Sequence, residues 1–306
     1  MHETASSTQT RLSTISEDTH INMYKTILVG IDGSEFSKAA LINASNWVKR
    51  HGGRLFLVHA VYFDEEEFSI APGQREKRFK LGKEICYQTK EAVLPQLGKD
   101  VESLICEGEP HDIIVDIANT KNADLITMGT HGRKGFKKLF MGSVTSRVIV
   151  SSPCDVLVVK KPLTENGKYK SILLSFDGSE FSKKALNRAC ELSKIEDAEI
   201  TVLYVIPHYE EMIEFFSTSL IKENLLYDAE KVVEDAKKLA LDRGVSIKTE
   251  IAEGNTAERV IDTANRLGSD LIIRGTYAWR GIDKAIIGSI IENVIVNVSC
   301  PVLVVK

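Results

Sequence analysis

Gly129-Thr130-His131-Gly132, nine further residues, then Gly142-Ser143 is the stretch of this 306-residue chain that decides its fold, because the chain writes it twice. It returns 146 positions later as Gly275-Thr276-Tyr277-Ala278, nine further residues, then Gly288-Ser289. The same offset carries Glu107-Gly108 onto Glu253-Gly254, Ala123-Asp124-Leu125-Ile126 onto Ser269-Asp270-Leu271-Ile272, and Val156–Lys160 onto Val302–Lys306. Nearer the front of each copy, Asp32-Gly33-Ser34-Glu35-Phe36-Ser37 matches Asp177-Gly178-Ser179-Glu180-Phe181-Ser182 at an offset of 145, so one insertion or deletion separates the copies. Solenoid repeats run about 20 to 50 residues, so a period this long marks a duplicated domain.

Working outward from the glycines, each copy alternates short apolar runs with helical patterns. Strands are expected over 26–31, 55–61, 101–106, 124–128 and 156–159 in the first copy, and over 171–176, 199–206, 245–251, 270–274 and 302–305 in the second. Helices are expected over 36–50, 75–97, 111–120 and from 143. A further helix over 227–241 carries Ala229, Val232, Val233, Ala236, Leu239 and Ala240 as a core-packing stripe. Wholly apolar strands separated by helices imply an α/β fold, a doubly wound parallel sheet covered on both faces. The expected organisation is a disordered Ser/Thr-rich extension over 1–23, domains over 24–161 and 169–306, and a linker over 162–168 broken by Pro162 and Gly167. Met23 is a candidate alternative start, because the first strand follows at once.

Composition narrows the function classes. A net charge of −4 argues against general binding of nucleic acid, which needs a field attractive to polyanions. No run of 18 apolar residues suggests a membrane span, and residues 1–22 lack the apolar core of a secretory signal. Five cysteines without a C-x-x-C pair read as buried reduced thiols, which points to a cytoplasmic protein. There is no G-x-x-x-x-G-K-[ST] loop, no G-x-G-x-x-G fingerprint and no G-x-S-x-G elbow, and no His/Cys cluster has zinc spacing.

What remains is the glycine loop itself. In an open α/β sheet the ligand crevice lies beyond the carboxyl ends of the strands, where Asp32 and Gly129 both fall. Gly129 and Gly132 would let backbone amides approach an anion, and the helix after Gly142 supplies free N–H groups and a positive dipole end. Ser143 adds a hydroxyl. Arg133, Lys134, Lys137 and Lys138 either screen polyphosphate charge or form a solvated basic loop. Asp32 either accepts bonds from a ribose or base, or serves the turn before the helix. His59 ends a strand and reads as a packing residue, and the acidic run at 64–67 reads as a solvated loop.

Both copies, over residues 24–306, resemble universal stress protein domains, whose nucleotide-binding members carry G-x2-G-x9-G-[ST]. The resemblance implies a five-stranded fold of the adenine nucleotide alpha hydrolase-like type in 3-2-1-4-5 order, ATP or AMP as ligand, and association of sheets through the last strand. It assigns Asp32 to the ribose or adenine, the backbone at Ala60 to the adenine, and Met128 to a flank of the base. Gly129, Gly132, Gly142, Ser143 and Thr145 would hold phosphates, and any Mg2+ would be carried by phosphate oxygens and water. The second copy supplies Asp177, Val205, Gly275, Ala278, Gly288 and Ser289, a weaker set. It departs by Arg274 for Met128, Tyr277 for His131, Ala278 for Gly132 and Ile291 for Thr145.

The expected function is that of a nucleotide-binding stress sensor or regulatory module. The paired Val-Leu-Val-Val segments would join the copies as a pseudo-dimer, with a homodimer as a further possibility. A nucleotide-free interaction scaffold and a slow ATPase or nucleotidyl-transfer enzyme are the alternatives; no general base is evident near the cradle for efficient hydrolysis, and the first strand offers only Gly30-Ile31-Asp32-Gly33-Ser34 where a transferase would carry a catalytic signature.

Overall fold

β1 (Thr26–Gly30) is buried along almost its whole length, because helices cover both of its faces. In the computed structural model the first copy continues through α1 (Glu35–His51), β2 (Arg54–Val61), α2 (Gly73–Leu97), β3 (Val101–Glu107), α3 (Pro110–Thr120), β4 (Leu125–Gly129), α4 (Ser143–Ser151) and β5 (Asp155–Val159). The second copy follows with β6 (Ser171–Ser175), α5 (Glu180–Glu196), β7 (Glu199–Ile206), α6 (Ser219–Leu241), β8 (Lys248–Glu253), α7 (Thr256–Leu267), β9 (Leu271–Gly275), α8 (Ser289–Asn297) and β10 (Val302–Val305). The structure describes residues 23–63, 73–132, 141–162, 167–207, 219–276 and 288–306. The acidic run at 64–67, the basic residues Arg133, Lys134, Lys137 and Lys138, most of the linker, and Tyr277, Ala278 and Trp279 lie outside the described residues.

Strand order is β3-β2-β1-β4-β5-β10-β9-β6-β7-β8, so each copy has the expected 3-2-1-4-5 order. Pairing within each copy is parallel throughout. One face of the sheet packs on α1, α2, α5 and α6, and the other on α3, α4, α7 and α8.

Two expectations shift. Met23, assigned by sequence to the extension, is buried with Tyr24 in the core. The third strand of the second copy starts at Lys248 rather than Val245 and runs on to Glu253. Val245 is buried, but as the hydrophobic residue that closes the end of α6, its N–H bonded to the Ala240 carbonyl after Gly244 turns at φ 67°.

The repeated Asp124 and Asp270 earn their place in the fold. The Asp124 carboxylate accepts from the N–H groups of Lys25 and Thr26, and that of Asp270 from Lys170 and Ser171. Each carboxylate therefore ties the start of the fourth strand of its copy to the start of the first.

β5 and β10 pair antiparallel, with Leu157 opposite Leu303, its own counterpart in the repeat. A two-fold relation between like edges reverses strand direction, which makes this pairing antiparallel and fuses two five-stranded sheets into one of ten. The last strands expected to associate sheets are thus consumed within one chain, and the outer edges are β3 and β8. Lys160 crosses the seam to donate to the carbonyls of Val296 and Val298 at the end of α8. Lys306 does the same for the Ile149 and Val150 carbonyls at the end of α4, so each ammonium meets a negative helix end.

A fully buried carboxylate, Glu196, receives Arg50 Nη1 at 2.5 Å and lies 2.8 Å from His51 Nε2, both from the other copy. Asp155 accepts from Tyr24 Oη and from Arg188 Nε, each at 2.7 Å. Burial, and then the Asp155 charge, hold the Tyr24 phenol well above its ordinary range.

Candidate functional site

The site is built where β1 and β4 end side by side. After β1, Asp32 Oδ1 accepts the Ser34 N–H at 2.9 Å, Gly33 turns at φ 83°, and Ser34 caps α1 by accepting the Ser37 N–H at 3.1 Å. A positive φ at the second position of this turn explains Asp-Gly-Ser, and the same turn recurs at Asp177 with Gly178 at φ 79°. After β4, Thr130 donates to the Val159 carbonyl, and the chain returns so that Gly142 N–H meets the Thr130 carbonyl at 2.9 Å. There α4 begins with Gly142 as its N-cap and no side chain capping its first amides.

The structure brings Asp32, Gly129, Gly132, Gly142 and Thr145 together, but divides their work differently from the sequence reading. A Cβ on Gly129 would stand 2.6 Å from Phe36 Cβ and 2.7 Å from Phe36 C, so this glycine lets the first turn of α1 lie on the strand end rather than opening a cradle. Among the described residues a Cβ on Gly132 would meet the Asp32 carboxylate, with Oδ2 at 2.9 Å, and the glycine's φ lies outside the left-handed range. Gly132 therefore sits against the Asp32 carboxylate at the exposed rim of the site. The amides of Thr130 and Gly142 are committed to carbonyls, whereas the first amides of α4, from Ser143, have no side-chain cap. Ser143 is exposed there, whereas Thr145 is buried and donates its hydroxyl to the Gly129 carbonyl at 2.8 Å.

Behind the rim, Met128 is buried beside Gly30; a Cβ on Gly30 would fall 2.7 Å from Met128 Sδ. Ala60 stands half-buried on β2 in register with Cys106. His59 is buried, with Nδ1 2.7 Å from the Ile31 carbonyl and its ring against Gly82, which makes it the packing residue expected. His131 is also buried, its ring 5.3 Å from that of Phe36.

The second copy keeps the frame and changes the floor. Gly275 again makes room for a helix, since a Cβ there would overlap the Phe181 carbonyl. Where the first copy has Gly30 and Met128, the second has Ser175 and Arg274, and Arg274 Nη1 donates to Ser175 Oγ at 2.7 Å. Burial opposes ionisation of Asp177, but hydrogen bonds from Ser179 and Ser182 and the charge of Arg274 outweigh it and hold the carboxyl below its usual range. Ile291 is buried in place of Thr145, Val205 is buried opposite Ala252, and Ser289 opens α8 after Gly288. Around Gly288 no described atom lies within 4 Å of an added Cβ, whereas a Cβ on Gly142 would stand 3.2 Å from the Thr130 carbonyl oxygen. Sequence reasoning noted Arg274 and missed its partner; the signal was the paired change of Gly30 to Ser175 at the repeat offset.

A groove of about 880 Å³ between α2 and β3, lined by Cys86, Tyr87, Lys90 and Ile105 among others, lies away from these strand ends and contains none of the residues above. Among the described residues no group of three His, Cys, Asp or Glu side chains could hold a metal ion, and no helix is long and apolar enough to cross a membrane.

Comparison with known proteins agrees with the duplication. The family model described as Universal stress protein family matches residues 23–160 and again 168–306. A universal stress protein of Methanocaldococcus jannaschii is 36% identical over 148 residues, covering 47% of this chain and 87% of the relative. One of Thermus aquaticus is 34% identical over 143 residues, covering 45% of this chain and all of the relative. Each of these two relatives thus matches about one copy's length. A crystal structure of a universal stress protein from Archaeoglobus fulgidus superposes with a TM-score of 0.66 at 22% identity, covering 93% of this chain and 98% of the other, a likeness of fold.

Proposed function

The chain belongs to the universal stress protein family, and from that premise we propose that it is an adenine-nucleotide-binding regulatory module whose working site is the strand-end loop of the first copy. The observation that carries the reading is the meeting of Asp32, Gly132 and the uncapped start of α4 at one exposed rim. Asp32 accepts the Ser34 N–H through Oδ1, and a carboxylate with about four acceptor sites suits a ribose hydroxyl or an adenine amine. The uncapped first turn of α4, with the N–H groups of Ser143, Val144 and Thr145, is a ready site for phosphate, by those N–H groups and the helix dipole. Met128 and Ala60 supply the apolar flank for the base. ATP or AMP fits this set, with Mg2+ carried by the phosphates when ATP is bound.

The reading is of binding, with a sensor's rather than a catalyst's chemistry. His131, within the loop, and His59, near the end of β2, are both buried, with Phe36 and the Ile31 carbonyl beside them, rather than exposed at the rim as a general base would be. The test is calorimetric titration of the full chain with ATP and with AMP, alongside mass spectrometry of nucleotide released from the purified protein. Saturable binding that Asp32→Ala weakens at least tenfold supports the reading. Absence of both co-purified and titratable nucleotide refutes it.

A further inference from the structure

Where a base would rest, the two copies differ by a matched pair of side chains. In the first copy Gly30 has no side chain, and Met128 Sδ fills the space above its Cα. In the second, Ser175 and Arg274 occupy the same strand positions and bond to each other at 2.7 Å across β6 and β9. The guanidinium also lies close enough to Asp177 for its charge to favour that carboxylate. It is therefore held by the Ser175 hydroxyl and stands within the field of the acid that corresponds to Asp32.

Two further changes follow the same direction. Thr145, which pins the start of α4 to the Gly129 carbonyl, becomes Ile291, which cannot make that bond. The bond from Gly142 N–H to Thr130, which closes the first loop, has no counterpart at Gly288 among the described residues.

Resting on the nucleotide reading above, we propose that the chain binds one adenine nucleotide, in its first copy, and that the Ser175–Arg274 pair bars the base from the second. A neutral purine ring entering there would have to displace a guanidinium from the Ser175 hydroxyl and from beside the Asp177 charge, leaving its donors partly unpaired, a cost the first copy's Gly30 and Met128 do not impose. Arg274 acts as a specificity-determining residue by exclusion.

The experiment is stoichiometry of ATP binding to the full chain by isothermal titration calorimetry and native mass spectrometry. One equivalent is expected, lost in Asp32→Ala and retained in Asp177→Ala. Two equivalents in the unaltered chain, or one equivalent surviving Asp32→Ala, overturn the proposal while leaving nucleotide binding intact. No binding at all overturns the nucleotide reading itself. Ser175→Gly with Arg274→Met should raise the count to two, and a folded double variant that stays at one refutes the assignment to this pair. Should that variant not fold, the reverse transplant decides: Gly30→Ser with Met128→Arg should reduce the count from one to zero, and retention of one equivalent sinks the idea.

Discussion

Replacing Gly129 by Ala should cost stability, and replacing Gly132 by Ala should cost binding instead. At Gly129 the added methyl would lie 2.6 Å from Phe36 Cβ and 2.7 and 2.9 Å from the Phe36 carbonyl carbon and oxygen. Carbon contacts settle near 3.5 to 4.0 Å, so the first turn of α1 would have to retreat by roughly 1 Å. That helix is anchored by Ala40, Ala44, Trp47 and Val48, all buried, so the retreat disturbs its packing along several turns. Overpacking of a tight core costs about 1 to 3 kcal/mol, and backbone atoms cannot swing aside as a side chain can, which puts Gly129→Ala at the upper part of that range. At Gly132 the close neighbour among the described residues is Asp32 Oδ2, the end of a side chain, and the φ suits any residue. Its stability should change by less than about 0.5 kcal/mol, as for a surface substitution, while ATP affinity falls as the Asp32 carboxylate is displaced. Urea unfolding and ATP titration of both variants are the assays. Equal destabilisation by the two, or a Gly129→Ala variant as stable as the parent, would refute the division of labour drawn from these contacts.

The seam between the copies offers a second handle: Glu196→Ala leaves Arg50 and His51 facing a buried gap, and should destabilise by about 3 to 5 kcal/mol, read as a lower urea midpoint. The His51 imidazole is held below its ordinary pKa of 6.5, by burial first and by the Arg50 and Lys25 charges, against the pull of Glu196. The unfolded chain then binds the proton more readily than the folded one, so this group makes stability fall as pH drops through 6.5 and level off below the folded value. His51→Asn should flatten that limb of the stability profile. Burial pushes the thiols of Cys86, Cys154, Cys190 and Cys300 up to about 11. At pH 8 these four should react with a disulfide reagent far more slowly in the folded chain than in urea, and equal rates would contradict the packing described.

The fold was legible because its determinants are local. Apolar runs of strand length, Asp-Gly-Ser turns with a glycine at positive φ, and Gly142 before Ser143 each write their structure within a few residues, and the repeat wrote them twice. Val245 shows the limit of that reading. Its apolar side chain is equally suited to start a strand or to close a helix, and the choice fell to the Gly244 turn and to how far β8 can pair with β7. The site was legible as a place, at the ends of β1 and β4, but its inner division was not. Gly129 and Gly132 look alike on paper, and only the position of Phe36 and Asp32 beside them separates a glycine needed by a helix from one at the rim.

By itself the sequence determined that two copies of one α/β unit exist, in what order their elements run, and that a glycine loop follows the fourth strand of each. Periodicity and turn chemistry are properties of neighbouring residues, and neighbours are what a sequence shows. The tertiary structure alone decided that the last strands pair with each other inside one chain. It also decided that Lys160 and Lys306 cap each other's copy and that Ser175 answers Arg274. Those are meetings between residues about a hundred or more positions apart, fixed by which strands lie side by side, and the same contacts separate the floor of the first site from that of the second.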